Sequence, residues 1–325
     1  MKIGKSIISF FKYFLTLILA LVILLCGLIF MFERGPSKSI RDLFVLTVTQ
    51  SSAAKFTAHM FLDDETINQI INDNTISSEV EVGNTDLITG DATLDLSLIT
   101  IEDIVGPNFK GKMMIVNDPS RVYVYSIPEY GVPRGKQVLT ICKEENAMGG
   151  INGGGFEDIG GQGKGGTPVG IVMSNGKYLY GSKTAKHQVI GLNNDNKLIV
   201  GTMTGQEAID AGIRDAVEWG PALIINGEAL DVGDAGSANP RTAIGQRADG
   251  AILMLVIDGR QGEYSWGASY SDLQEILLRY GAVNAGNLDG GLSSSMVYDN
   301  EIITHPYSLY GTGERPLPTA ILVRR

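Results

Sequence analysis

The sequence predicts an α+β fold with a mixed, largely antiparallel sheet core and few helices, preceded by one N-terminal transmembrane helix. For the core, short β-type runs recur from about residue 96 to the C-terminus, separated by Gly, Asn and Asp. For the membrane helix, an uncharged apolar segment lies close to the N-terminus. With 325 residues, of which 44% are hydrophobic, the chain can bury a full-sized core.

The composition argues against several classes of protein. Asp and Glu (36) outnumber Lys and Arg (26), so no basic surface is available to attract nucleic acid. The two cysteines provide no intrachain disulfide framework, since Cys26 lies inside the apolar segment. No His-x₃-His or Cys-pair pattern indicates zinc, so we expect no metal site and no cofactor. A divalent cation held by carboxylate oxygens stays open, but no ligand spacing demands one.

The apolar segment runs from Tyr13 to Phe32 without a charge. As a helix its twenty residues span about 30 Å, the thickness of a bilayer core. Lysines at positions 2, 5 and 12 favour a cytoplasmic N-terminus for residues 1–12. A cleaved signal peptide is the alternative, but the segment ends without a small-x-small pattern. We therefore expect a single-pass anchor at residues 13–32 in the cell membrane and an extracytoplasmic C-terminal domain.

Residues 33–95 have the pattern of a helical stalk and connector. Gly35-Pro36 interrupts the first helix, and Ile40, Phe44 and Val48 then recur at helical spacing. Acidic residues at 63–65 precede a further short apolar stripe and favour a helix start. The main domain is expected to cover residues 96–325.

Within that domain the β-type runs outnumber the helices. Two helices are predicted, Thr204–Ala211 and Ser271–Tyr280, the second with a capping box formed by Ser271 and Gln274 and a stop at Gly281. The predicted strands are Lys112–Val116, Arg121–Tyr125, Val169–Met173, Lys177–Tyr180, Gln188–Leu192, Leu198–Thr202, Ala222–Ile225, Thr242–Gly245, Ile252–Ile257, Ser295–Tyr298 and Thr319–Val323.

Two glycine-rich runs stand out, because 32 of the 41 glycines follow residue 148. The run 149–156 surrounds Asn152, and its backbone N–H groups could converge on an anion or a sugar hydroxyl; a flexible turn is the alternative. The run 160–166 contains a formal Gly-x-Gly-x-x-Gly, but no strand leads into it, which argues against a dinucleotide site. We interpret the second run as a lid, with a plain surface loop as the alternative.

Charged residues lie at the ends of two predicted strands. Ile252–Ile257 leads directly into Asp258-Gly-Arg260, and Arg241-Thr242 opens another strand. A third segment, Asn287–Met296, places Asp289 before two glycines and three serines. Gly-x-Ser-x-Gly is absent there, which disfavours a serine hydrolase.

Six ordered blocks in the last 230 residues resemble the phosphodiester glycosidase family. They are Gly150-Ile-Asn-Gly-Gly-Gly-Phe156, Arg241-Thr-Ala-Ile-Gly245, Val256-Ile-Asp-Gly-Arg260, Tyr280-Gly-Ala282, Asn287-Leu-Asp-Gly-Gly291 and Arg315-Pro-Leu-Pro-Thr-Ala320. The resemblance implies hydrolysis of a sugar-1-phosphodiester to free sugar and a phosphomonoester. Bacterial relatives are exported or anchored and often exopolysaccharide-related. The chain departs from the family at Thr304-His305-Pro306, where Asn-x-Pro is expected.

This chemistry assigns roles to individual residues. Asp289 and Asp258 are the expected catalytic carboxylates, since glycoside cleavage commonly uses a pair. Glu218, which precedes Trp219, is a weaker third candidate. A phosphate leaving group calls for cations and N–H donors more than for a general acid. The expected substrate contacts are Asn152, Gly153, Gly154, Arg241, Thr242, Arg260, Gly290, Gly291, Ser293, Ser294 and Arg315.

Two other functions stay open at this point. The same fold could serve as a non-catalytic glycan-binding module, because a fold does not fix a function. A phosphodiesterase that cuts the P–O bond is the second alternative. In every case the expected partners are a glycan or glycosyl-phosphodiester and, through residues 13–32, a membrane.

Overall fold

A computed structural model describes residues 2–49, 54–74, 79–91, 93–158, 163–232, 238–308 and 313–325. The chain divides into two compact units, Met1–Ile76 and Ser77–Arg325.

The first unit is helical. Helix α1 spans Lys2–Arg34, α2 Lys38–Thr49 and α3 Asp64–Asn74. The part of α1 from Ser9 to Arg34 is long and apolar enough to cross a membrane, with a mean hydropathy of 3.1 in its most apolar window. At the end of α1, Phe32 stacks on Phe44 of α2. The Asp63 carboxylate accepts the Thr66 N–H and so caps the first turn of α3.

The second unit is built of short strands with three α-helices among its described residues: α4 Val138–Glu144, α5 Gly205–Asp210 and α6 Tyr270–Arg279. Its strands are β1 Ile99–Val105, β2 Lys110–Val116, β3 Val122–Ser126, β4 Ala147–Asn152, β5 Val172–Ser174, β6 Lys177–Tyr180, β7 Lys186–Asn193, β8 Leu198–Thr204, β9 Ile213–Glu218, β10 Ala222–Ile225, β11 Glu228–Ala229, β12 Arg241–Arg247, β13 Ile252–Ile257, β14 Ala282–Leu288, β15 Met296–Tyr298, β16 Glu301–Ile302 and β17 Thr319–Arg324.

These strands form three sheets. The largest has the order β1-β2-β13-β12-β14-β10-β11, and the two five-stranded sheets have the orders β16-β15-β4-β17-β3 and β6-β5-β9-β7-β8. The pairs within all three are antiparallel. The predicted α+β class with a largely antiparallel core and few helices is thereby confirmed.

The central strand β13 shows why the first sheet is stable. All six of its residues are buried, because both faces are covered. Met254 and Val256 pack into one core with residues of the smaller sheets, while Leu253 and Leu255 pack into a second core beneath α6. Asp258 directly follows this buried strand, and the packing of the strand fixes its position.

Helix α6 was predicted with the wrong cap. Ser269 is the N-cap and forms a capping box with Asp272. Gln274 is instead buried and donates from Nε2 to the carbonyl oxygens of Leu223 and Leu230, both at 2.7 Å. The predicted stop is present, since Gly281 has a φ of +83°, which favours glycine.

Residues 79–91, part of the predicted connector, are bonded to the second unit. Gly83 donates its N–H to the Val200 oxygen at 3.0 Å, and the Thr202 N–H donates to the Val80 oxygen at 2.9 Å. The Thr89 N–H donates to the Ala248 oxygen at 2.9 Å. This segment is therefore part of the packed β-rich unit.

Candidate active site

Three adjacent inner strands of the largest sheet bring the predicted charged residues together at one end of these strands. Asp258 follows β13, Arg241 is the first residue of β12, and Asp289 follows β14. Arg241 pairs with Ile257 on one side, and Thr242 pairs with Leu288 on the other. Because neighbouring strands lie about 4.8 Å apart, the two aspartates flank Arg241.

Asp289 is half-buried and held through its main chain. Its N–H donates to the Gly153 oxygen at 3.2 Å, and its oxygen accepts the Asn152 Nδ2–H at 2.6 Å. The carboxylate Oδ1 accepts the Gly290 N–H at 2.9 Å. Burial raises the pKa of this carboxyl to about 6, against the opposing effects of Ser293, Arg315 and the Gly290 N–H. Asp289 can therefore exchange a proton near neutral pH.

Asn152 and Thr242 lie beneath Asp289 and are completely buried. The Thr242 hydroxyl donates to Asn152 Oδ1 at 2.8 Å, and the Ser295 N–H donates to the same oxygen at 3.2 Å. Since the amide nitrogen of Asn152 is bonded to Asp289, this side chain holds three chain segments together. Its geometry is that of a residue that positions Asp289.

The glycine run 149–155 is packed against other backbone segments. Its first part is strand β4, and the N–H groups of Gly153 and Gly155 donate to the oxygens of Thr319 and Glu218 at 3.1 and 3.3 Å. A Cβ on Gly154 would lie 2.6 Å from the Glu218 oxygen, and one on Gly155 would lie 1.9 Å from the Trp219 ring. Close approach of β17 and of residues 218–219 is therefore what requires these glycines, and two of their N–H groups are already bonded to other segments. The role of Asn152, Gly153 and Gly154 in substrate binding stays a prediction.

Asp258 is 3% exposed, and both of its oxygens are engaged. Oδ1 accepts the His305 N–H at 2.8 Å, and Oδ2 accepts the Tyr264 hydroxyl at 3.1 Å. Burial raises the pKa of Asp258, although the bonds from His305 and Tyr264 oppose it. Sequence reasoning missed Tyr264, because nothing in the pattern of the loop 259–269 shows that the chain folds back onto Asp258.

Arg241 and Arg260 bring two positive charges together beside the Asp289 loop. The Arg260 guanidinium lies about 3.5 Å from the Cβ position of Gly291 and donates to Asn239 Oδ1 at 2.9 Å. Arg241 is buried against the Tyr270 ring, 4.0 Å from its centroid. Burial lowers the pKa of Arg260, and the charge of Arg241 lowers it further. Two cationic side chains beside the Asp289 loop, of which at least Arg241 is buried, favour the binding of an anion.

The Arg315 guanidinium is engaged by other side chains and by the main chain. Its guanidinium pairs with Asp158 at 2.6 Å, donates to the Gly163 oxygen at 2.8 Å and lies over the Phe156 ring. It still lies near enough to Asp289 to lower the pKa of that carboxyl. The predicted lid falls partly on residues 159–162, which lie outside the described residues. The part from Gly163 to Gly166 is bonded to Arg315 and to residues 131 and 135.

The serines that follow Asp289 differ in their surroundings. The hydroxyls of Ser293 and Ser294 are buried without a hydrogen-bond partner among the described residues. Ser293 nevertheless lowers the pKa of Asp289 through its proximity, with a geometry short of a regular hydrogen bond. Ser295 donates to Glu314 Oε1 at 2.5 Å, and Glu314 is a buried carboxylate that the sequence did not single out.

Glu218 lies across the glycine run from Asp289. Its carboxylate bonds to Nδ1 of the buried His187, whose Nε2 faces the Ser182 oxygen at 2.8 Å. A Cβ on Gly170 would lie 1.6 Å from Glu218 Oε2, so the loop at 170 closes over this pair.

Over the described residues, no group of three or more His, Cys, Asp or Glu side chains could hold a metal ion.

A model of the phosphodiester glycosidase family matches residues 145–324. The chain is similar to the N-acetylglucosamine-1-phosphodiester alpha-N-acetylglucosaminidase of Bos taurus, with 27% identity over 160 residues, 42% of this chain and 29% of that protein. It is 24% identical over 199 residues to an SPbeta prophage-derived uncharacterized protein of Bacillus subtilis, covering 58% of this chain and 29% of that protein. The chain thus spans less than a third of these relatives' length.

The fold is also found in a solved structure. The catalytic domain of the zebrafish N-acetylglucosamine-1-phosphodiester alpha-N-acetylglucosaminidase, auto-inhibited by its pro-peptide, superposes with a TM-score of 0.60 and 19% identity. The match covers 76% of this chain and 88% of that one. At this identity the likeness establishes the shared fold.

Proposed function

Because the chain belongs to the phosphodiester glycosidase family, we propose that it hydrolyses the glycosidic bond of a sugar-1-phosphodiester. The observation that carries the proposal is the pair Arg241 and Arg260 beside Asp289. Two guanidinium groups match a phosphodiester anion, and a carboxyl with a pKa of about 6 can act on the adjoining sugar.

The reaction breaks the bond between the sugar C1 and the bridging phosphate oxygen. Water supplies a hydroxyl to C1 and releases a proton, and the bond electrons leave with the phosphomonoester. Asp289 stabilises the positive charge that develops at C1 or attacks that carbon. The two arginines bind the phosphate as its negative charge increases, so they stabilise the transition state more than the ground state.

The location of the enzyme is part of the proposal. Helix α1 provides an apolar span of bilayer length, and we infer that it anchors the protein with the second unit outside the cytoplasm. The substrate would then be a phosphodiester-linked glycan of the cell envelope or an exopolysaccharide.

Product analysis tests the reaction. The methyl phosphodiester of N-acetylglucosamine-1-phosphate is the first substrate to use, because related proteins are named for this linkage. A glycosidase releases N-acetylglucosamine and methyl phosphate, whereas a phosphodiesterase that cuts on the methyl side releases N-acetylglucosamine-1-phosphate and methanol. A glycan-binding module leaves the substrate intact. Either of the last two outcomes contradicts the proposal, and Asp299→Asn, on an exposed turn, is the matched control for Asp289→Asn.

A further inference from the structure

The segment 304–306, where the chain departs from the pattern expected of its family, covers Asp258. Thr304 is buried, and its hydroxyl accepts the Met296 N–H at 2.9 Å, so this residue holds the segment in place. The Gln261 side chain donates to the His305 oxygen at 2.5 Å. These two hydrogen bonds therefore fix the main chain of His305 beside Asp258.

The His305 ring is held on one side and open on the other. Nδ1 lies 2.8 Å from the Tyr264 hydroxyl oxygen and 3.4 Å from Asp258 Oδ2. The ring planes of Tyr264 and His305 are tilted, with centroids 4.6 Å apart. The His305 side chain is 62% exposed, whereas Asp258 is 3% exposed. Asp258 therefore reaches solvent only through its neighbours.

The hydrogen bonds assign the protons. Tyr264 has a single proton, which it donates to Asp258 Oδ2, so its oxygen is left to accept from His305 Nδ1. Nε2 makes no hydrogen bond with the residues that the structure describes. With Nδ1–H directed at Tyr264, Nε2 is the ring atom left for a ligand, and an imidazolium formed when an anion binds would present an N–H there while Asp258 Oδ2 lies 3.4 Å from Nδ1.

Charged residues of both signs lie near this ring. The segment lies close to Arg260, because Gln261, the next residue, donates to the His305 oxygen at 2.5 Å, and Tyr307 lies near enough to Arg260 to affect its pKa. On the opposite side, the Lys110 ammonium lies 4.9 Å from the Tyr264 ring centroid. Asp258 is the carboxylate in direct contact with the ring, and Asp103 acts on Tyr264 only through weaker, more distant electrostatics.

We propose that His305 binds the aglycone phosphate through Nε2–H, and that Asp258 is a positioning residue that acts through Tyr264 and His305. The proposal rests on the proposed function, since it names a group that holds the leaving phosphate. Both carboxylate oxygens of Asp258 already accept hydrogen bonds, and in this role Asp258 needs no direct contact with the sugar.

The first test is direct binding, measured on the full-length protein in detergent. The chain has three histidines, so ¹⁵N labelling of histidine gives a spectrum that His305→Gln can assign. Titration with methyl phosphate should shift the Nε2 resonance of His305 and leave His59 and His187 unchanged. If the His305 resonance stays in place while methyl phosphate binds, the proposal is wrong.

The second test is kinetic, with the methyl phosphodiester as substrate. His305→Gln should raise KM and the dissociation constant of methyl phosphate by ~10- to 100-fold, the effect of one charge-assisted hydrogen bond, with kcat changed far less. Tyr264→Phe and Asp258→Asn should raise KM in the same direction, and His305→Arg should restore part of the affinity. His59→Gln, an exposed histidine of the first unit, is the matched control.

The outcomes separate the two proposals. Cleavage of the diester with an unchanged KM in His305→Gln refutes the role of His305 and leaves the proposed function standing. If the wild-type protein cleaves no diester but methyl phosphate shifts the His305 resonance, the anion site is supported and the glycosidase activity is wrong. A fall in kcat at constant KM in Asp258→Asn would make Asp258 a catalytic residue in its own right.

Discussion

Replacing Asp289 by Asn should stabilise the protein at pH 7 while removing most of its activity. The pKa of the Asp289 carboxyl is about 6 in the folded protein, against 3.8 for an ordinary aspartate. Between those values the folded state binds more protons than the unfolded state, so stability falls as pH rises from about 4 to 6. Above pH 6 the buried charge is a constant cost.

The size of that cost follows from the shift. Two pKa units correspond to about 3 kcal/mol, and we expect ~1–3 kcal/mol because Asp289 is only half-buried. Asn retains an oxygen for the Gly290 N–H and carries no charge, so Asp289→Asn should gain this amount at pH 7. The gain should disappear at pH 4, where both proteins are neutral at this position.

Denaturant unfolding of the wild type, Asp289→Asn and the control Asp299→Asn at pH 4, 5, 6 and 7 measures the effect. Turnover of the methyl phosphodiester by Asp289→Asn should fall at least ~10²-fold, since a neutral amide can neither take up a proton nor stabilise a cationic carbon as well. A loss of stability at pH 7 with normal turnover would show that Asp289 is a turn residue, and would refute the reasoning.

Three further predictions concern the anion site, the glycine run and the anchor. Arg260→Ala should lower kcat/KM for the phosphodiester by ~10- to 100-fold but hardly affect a p-nitrophenyl glycoside, which has no phosphate; equal losses on both would argue for a structural role. Gly155→Ala should lower the free energy of unfolding by ~1–3 kcal/mol, because its Cβ would lie 1.9 Å from the Trp219 ring, and an unchanged unfolding midpoint would contradict the packing described. A protein lacking residues 1–39 should be released from membranes by a carbonate wash; continued membrane association would show that helix α1 is not the sole anchor.

Sequence patterns located many of the apolar strands of the second unit but missed others, among them β1, β4, β9 and β14. Ile252–Ile257 was predicted with its correct bounds, since a continuous apolar run is typical of a strand buried on both faces. Strand β4 was missed because Gly149 and Gly150 have low strand propensity. They are required there because a Cβ would meet the Val297 and Ile321 oxygens at 2.5 and 2.6 Å.

The residues of the site divide in the same way. Arg241 and Asp258 could be found from the sequence, since the strands β12 and β13 that they adjoin were predicted. Strand β14 was not predicted, and Asp289 was found from the two glycines and three serines that follow it. The bonds that His305 makes with Tyr264 and Asp258 could not, because they join residues 41 and 47 positions apart in the chain. Their contact depends on the folded positions of both loops.

The bond that is broken is the central claim, and hydrolysis in H₂¹⁸O tests it most directly. If the enzyme cleaves between C1 and the bridging oxygen, mass spectrometry will find ¹⁸O in the anomeric hydroxyl of the released N-acetylglucosamine at the first turnover, and none in methyl phosphate. The sugar must be analysed before its anomeric oxygen exchanges with solvent. Label in the phosphate, or release of N-acetylglucosamine-1-phosphate and methanol, would show attack at phosphorus and contradict the glycosidase mechanism.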